Sequence, residues 1–207
     1  MIEFLQSRWD KLTCDLPDVK TDFYNQIIEL YSNSKRHYHN LNHITALLRL
    51  VQQYRYLLKS PQTIEFAVWY HDVIYNVSKS NNEESSAEMA RNHLTQLGVE
   101  ESVISECQEI IIATKSHRLP KGLDSFDAKF FLDIDLSILA ADQEGYLTYT
   151  KQIRKEYGLY PDFLYNRGRK KLLLEFLNVD RIYQTNLFFE NWEIQARDNI
   201  EMEIGGL

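Results

Sequence analysis

The sequence predicts an all-α fold, on three observations. Chain breakers are scarce, with 7 glycines and 4 prolines in 207 residues. Large ring side chains are plentiful, with 13 tyrosines and 10 phenylalanines, and 44% of the chain is hydrophobic. Apolar residues also recur at three- and four-residue spacing along most of the length, the period of a helix with one buried face.

The elements follow in order. Phe23, Ile27, Ile28 and Tyr31 share one helical face, with Asp18 or Thr21 placed as a cap. A longer stripe, Leu41, Ile44, Leu47, Leu48, Val51, Tyr54, Leu57 and Leu58, predicts a helix from about Asn40 to Lys59. Pro61 suits the first position of the next helix, which carries Ile64, Ala67, Val68 and Tyr70 up to His71-Asp72. Val73-Ile74-Tyr75 completes that turn. The run IEFAVWY has strand propensity, but its proline start and its continuity with VIY favour a helix. A new helix is expected near Asn82, with Glu83 and Glu84 in its first turn and Gly98 at its end. Another spans about Glu100 to His117. The stretch RLPKGLDSFD reads as a loop, followed by a helix carrying Phe130, Phe131, Ile134, Ile138 and Leu139. Helices near 144–157, 162–178 and 185–203 finish the chain. With no linker, repeat or low-complexity segment, a single domain over 1–207 is the economical reading. Its core lies at about 36–141, and C-terminal helices at about 144–203 pack on it.

A formal net charge of −7 argues against binding a nucleic-acid polymer through its backbone, which needs a basic stripe. A small phosphorylated substrate is compatible with it. Cys14 and Cys107 have neither metal-ligand spacing nor a disulfide framework, so a reducing, cytoplasmic setting is expected. No segment reads as a leader or a membrane span. The excess of rings suggests a homodimer.

Several residues point to chemistry. His71-Asp72 ends an apolar run, so burying the acid there requires a metal, a cation or several donors. His43 lies upstream in RHYHNLNHI; Asp133 and Asp135 lie downstream in FFLDIDLSIL. Residues two apart on a helix point about 200° apart, so the two acids cannot serve one site equally, and both stay candidates. Imidazole and carboxylate suit Mn, Fe, Co, Ni, Zn or Mg. Arg36, His37 and His39 precede His43, and Lys115 and His117 end a helix. His93 reads as structural or surface. Arg154, Arg167, Arg169 and Lys170 suit either phosphate or a solvated helix face. Arg197 and Asn199 suit a pocket wall or a packing contact, and Trp192 reads as core.

In this order, YHNLNH, WYHDVIY, NEESSA, DIDLSIL and ARDNIEME, the motifs resemble the HD-domain superfamily of metal-dependent phosphohydrolases. They are most similar to an uncharacterised bacterial branch of predicted HD phosphohydrolases, and the likeness runs over nearly the whole chain. The resemblance implies one HD-like helical bundle binding one divalent metal ion through His43, His71, Asp72 and Asp135. It further implies hydrolysis of a small phosphomonoester, nucleotide or related phosphoester by metal-activated water. Many such enzymes carry an acid a few residues past the doublet; here Tyr75 stands there, so Glu83 or Glu84 is expected to join Asp72 in catalysis. Arg36, His39, Lys115 and His117 are then expected to contact the substrate. Two alternatives stay open. One is a non-catalytic HD protein that binds a phosphorylated ligand. The other is a di-iron HD oxidase, which needs His117 as a further ligand, with His39 and Asp133 as additional candidates.

Overall fold

The computed structural model describes residues 1–120 and 122–207; Lys121, in the expected RLPKGLDSFD loop, lies outside the described residues. Among the described residues there are ten α-helices and no strand, so the chain is all-α. It divides into two compact units, Met1–Phe131 and Leu132–Leu207. The boundary falls one turn before the end of a helix, Phe126–Asp135, rather than near residue 142 where the sequence changes from core to C-terminal helices.

The first unit holds α1 (Ile2–Leu12), α2 (Lys20–Tyr31), α3 (Leu41–Tyr54), α4 (Pro61–Tyr70), α5 (Asn82–Gln96), α6 (Glu101–Ala113) and the start of α7 (Phe126–Asp135). Its centre is α4. Every residue from Thr63 to Tyr70 is buried, as expected of a helix apolar on all sides. Helices α3, α5 and α6 pack around it. Trp9 of α1 meets Trp69 edge-on at 5.3 Å, with Tyr24 of α2 against both rings.

The helix ends follow local chemistry. Asn40 caps α3, its side-chain oxygen accepting from the Asn42 amide at 2.8 Å. The long stripe predicted to Lys59 stops earlier: α3 ends at Tyr54 and a 3-10 turn covers Arg55–Leu57, because the carboxylate of Asp127 captures the amides of Lys59 and Ser60. Gly98 closes α5 at φ +74°. The amides of Gly98 and Val99 bond back to the carbonyls of Thr95 and Leu94, the double closure that a left-handed residue permits. Helix α6 ends at Ala113, four residues before the expected end, and the chain turns through His117 at φ +49°. Helix α1 had no counterpart among the predicted elements. The proposed caps of α2 are also not used, since it starts at Lys20 without a side-chain cap.

The second unit holds the end of α7, a 3-10 turn over Leu136–Ala140, α8 (Gln143–Glu156), α9 (Asp162–Leu177) and α10 (Asn186–Gly206). Its polar interior is fully engaged at three places. Arg169 forks onto Glu203 at 2.8 and 3.0 Å and also reaches the Tyr149 hydroxyl. Glu193 accepts from the amides of Ile182 and Tyr183 and from Arg197. Asn199 donates to the carbonyls of Leu139 and Ala141, ending the 3-10 turn. Arg197 and Asn199 are thus packing and capping residues here. No helix among the described residues is long and apolar enough to cross a membrane.

Candidate metal centre

The first unit brings three of the predicted ligands together. His43 sits in the first turn of α3, and His71 and Asp72 directly follow α4. The Nε2 atoms of His43 and His71 are 3.0 Å apart. Asp72 Oδ2 lies 3.2 Å from His71 Nε2 and 3.9 Å from His43 Nε2. A triangle with these sides has all its corners about 2.0 Å from one point in its plane, an ordinary metal bond length for imidazole nitrogen and carboxylate oxygen. Both imidazoles are buried, and the Asp72 side chain is 18% exposed, so the group opens to solvent on the carboxylate side.

Hydrogen bonding sets the state of these donors. His71 Nδ1 lies 3.0 Å from the Val68 carbonyl. A carbonyl only accepts, so Nδ1 carries the proton, and in the neutral ring Nε2 presents its lone pair toward the other two donors. That lone pair then faces a carboxylate oxygen at 3.2 Å, an arrangement that needs a cation or a proton between them. The three groups can therefore hold a divalent ion.

The backbone of the doublet is clamped. Arg36 is buried beneath it and donates to the carbonyls of Asp72 at 2.6 Å, Val73 at 2.7 Å and His39 at 3.3 Å. Its guanidinium lies over the ring of Tyr31, 4.9 Å from the centroid, and over Tyr75 at 5.6 Å. The Tyr31 hydroxyl in turn accepts from the Asp72 amide. Asn40, besides capping α3, donates to the carbonyls of His37 and Arg36, which ties the loop before His43 to the start of its helix.

The other predicted residues divide clearly. His39 lies outside α3, with Nε2 4.0 Å from Asp72 Oδ2 and its ring stacked on Tyr75 at 4.3 Å. Glu84 pairs with Lys115 at 2.5 Å, and Lys115 also donates to the Ser80 carbonyl. The Lys115 hydrogen bond holds the Glu84 carboxyl below its usual range, and Glu84 raises Lys115. Glu83 is half-buried in the first turn of α5, and His117 is half-buried in the turn after α6. His93 is buried, stacked on Phe23 at 3.9 Å and bonded to the Tyr70 hydroxyl, so it belongs to the interior. His37 is exposed.

The two late aspartates belong to the second unit. Asp135 is half-buried at the end of α7. Asp133 is buried and accepts from the Gln184 amide, the Thr185 amide and the Thr185 hydroxyl, which fixes the segment leading into α10. Burial pushes its carboxyl up to about 6, against those three donors.

In NEESSA the sequence marks Asn82 only as a helix start and gives Ser86 no role, yet both anchor the backbone. Asn82 pairs with both backbone groups of Asn76, and Ser86 does the same with Ile74. Together they anchor the segment that follows the His-Asp doublet. The available signal is a helix-start Asn with a Ser four residues on, which places both on one face of α5.

No family model, no curated protein and no solved structure matches this chain.

Proposed function

We propose that the protein is a metal-dependent hydrolase of small phosphoesters, with His43, His71 and Asp72 as protein ligands. The observation that carries this reading is the convergence of two imidazole nitrogens and one carboxylate oxygen on a point at bonding distance from all three. The motif resemblance supplies the reaction class.

A divalent ion bound there would acidify a coordinated water and draw charge from a phosphoryl oxygen. The chain's own groups do the rest. The Val68 carbonyl keeps His71 in the tautomer that offers Nε2. Arg36 and Tyr31 fix the peptide that bears Asp72, so its carboxylate is held in place before a ligand arrives. His39, stacked on Tyr75 beside Asp72 and 20% exposed, is placed to donate from Nε2 to an oxygen of the substrate. Glu84 is a poor candidate for the general base, because Lys115 stabilises its charged form. Glu83 keeps that role in the proposal.

The test is a screen of phosphomonoesters and nucleotides with Mn²⁺, Co²⁺ or Ni²⁺ added to wild type, D72N and E83Q. The proposal expects turnover in wild type, loss of at least about a hundredfold in D72N, and a comparable fall in E83Q. Equal activity in wild type and D72N would overturn it. A second reading rests on Tyr75, which occupies the position where the resemblance leads one to expect an acid. On that reading the same pocket binds a phosphorylated ligand without turnover, and saturable ligand binding with no product would favour it.

A further inference from the structure

At the other end of α4, away from the doublet, lies a cluster that the proposed chemistry does not use. Glu65, on the second turn of α4, has a side chain only 3% exposed, and two guanidinium groups share one of its two oxygens, Oε1. One belongs to Arg8 of α1, at 2.5 Å, and the other to Arg55 of the 3-10 turn. Arg8 is buried and Arg55 is exposed, and two cations on one carboxylate leave one positive charge over. Lys11, one turn after Arg8, adds another. These residues line a cavity of about 460 Å³ whose other walls include Cys14, Asp15 and Gln62. Asp15 brings one negative charge and is exposed, so the cavity is net positive by one in a chain of net charge −7.

Two features mark this as more than a surface ion pair. Arg8 is 9% exposed, yet its Nε has no hydrogen-bond partner among the described residues. A guanidinium offers Nε and one terminal nitrogen along the same edge, and matches two acceptor oxygens there. Glu65 contributes only Oε1, so the edge has one donor over. A buried charged donor left without an acceptor is costly, and a second oxygen removes that cost. The wall is also built rather than loose. Lys20 donates to the carbonyls of Thr13 and Cys14, and Trp9 Nε1 to the carbonyl of Lys20, which holds the turn after α1 in place.

We infer that the cleft between α1, the Arg55–Leu57 turn and the start of α4 is a second binding site, for a small oxyanion, distinct from the metal centre. Arg8 supplies the edge that discriminates planar or tetrahedral oxyanions from halide, and Arg55 and Lys11 supply charge at the mouth. A phosphate or a carboxylate group satisfies this chemistry.

The experiment uses full-length D72N protein with metal removed by chelation, so that the proposed metal centre does not contribute. Inorganic phosphate, acetate and chloride are titrated separately at constant ionic strength, with binding followed by calorimetry and by shifts in amide NMR resonances. Saturable binding of phosphate or acetate, but not chloride, with shifts centred on Arg8, Arg55 and Glu65, is expected. Which of the two binds identifies the oxyanion class. R55Q and K11Q alter exposed residues, circular dichroism verifies that each variant is folded, and each should weaken binding at least fivefold. Absence of saturable binding, equal response to chloride, or unchanged affinity in both variants would overturn the inference and leave an ion cluster that only braces α1 against α4.

Discussion

At the scale of single residues, Arg36 is the most instructive. Its position in RHYHN suggests a phosphate contact, but the structure spends its donors on the carbonyls of Asp72, Val73 and His39. It is a positioning residue for the doublet. Arg36→Met keeps much of the stem and removes the donors, so three carbonyls lose partners. The expected cost is about 2–4 kcal/mol of stability and at least a tenfold loss of Mn²⁺ or Co²⁺ affinity. Thermal unfolding and metal titration check these together. A variant with normal metal affinity and a normal visible spectrum for bound Co²⁺ would show that Arg36 merely supports the fold. Glu84 makes the opposite case. Its ion pair with Lys115 is exposed on both sides, and such pairs contribute little. E84Q should therefore leave the melting temperature nearly unchanged.

At the scale of elements, two buried groups tie helices together and give pH signatures of opposite sign. Burial lowers the pKa of His93, which is stacked on Phe23 between α2 and α5. The folded state thus resists a proton that the unfolded chain accepts. Its contribution is present above about pH 6.5 and is lost as pH falls below that value. The drop in urea midpoint from pH 7.5 to 5.5 should be smaller in H93F than in wild type, although H93F starts lower because Tyr70 loses its partner. Asp133 runs the other way. Its folded pKa is raised from 3.8 to about 6, so its contribution is greatest at or below pH 3.8 and declines as pH rises through that window. D133N, which carries no charge but sets an NH₂ against an amide donor, should be less stable than wild type. The gap should narrow between pH 4 and pH 6, and a gap that widened would contradict the assignment.

At the scale of the whole molecule, periodicity made most of the fold legible. Nine helices are legible in apolar spacing and breakers, several to within a residue or two, with Pro61 and Gly98 as start and stop. The errors are where a distant group overrides local pattern. The apolar stripe continues past Tyr54, but Asp127, 68 residues from Lys59, captures the backbone there and ends the helix. Helix α1 is hard to see in MIEFLQSRWD because its buried face, Leu5, Arg8 and Trp9, includes a charged residue and breaks the apolar pattern. In the site, His71 and Asp72 are legible because an acid beside a histidine at the end of an apolar run needs a partner, whereas His43, amid polar neighbours, becomes a ligand candidate through the motif resemblance. The sequence left Asp133 and Asp135 nearly equivalent. What separates them is that the backbone at Gln184 and Thr185, some fifty residues on, claims Asp133. The orphaned edge of Arg8 and the anchoring by Asn82 and Ser86 depend on tertiary neighbours that spacing does not encode.

The central claim, that two histidines and one aspartate hold a metal ion, is tested most directly by metal content. Protein purified without a tag, exposed to Mn²⁺, Co²⁺ or Ni²⁺ and desalted, is measured by elemental mass spectrometry beside the double variant H71A/D72A, with circular dichroism verifying that the variant is helical. The account predicts about one equivalent in wild type and none in the folded variant. Equal metal in both, or none in wild type with any of the three ions, would contradict it.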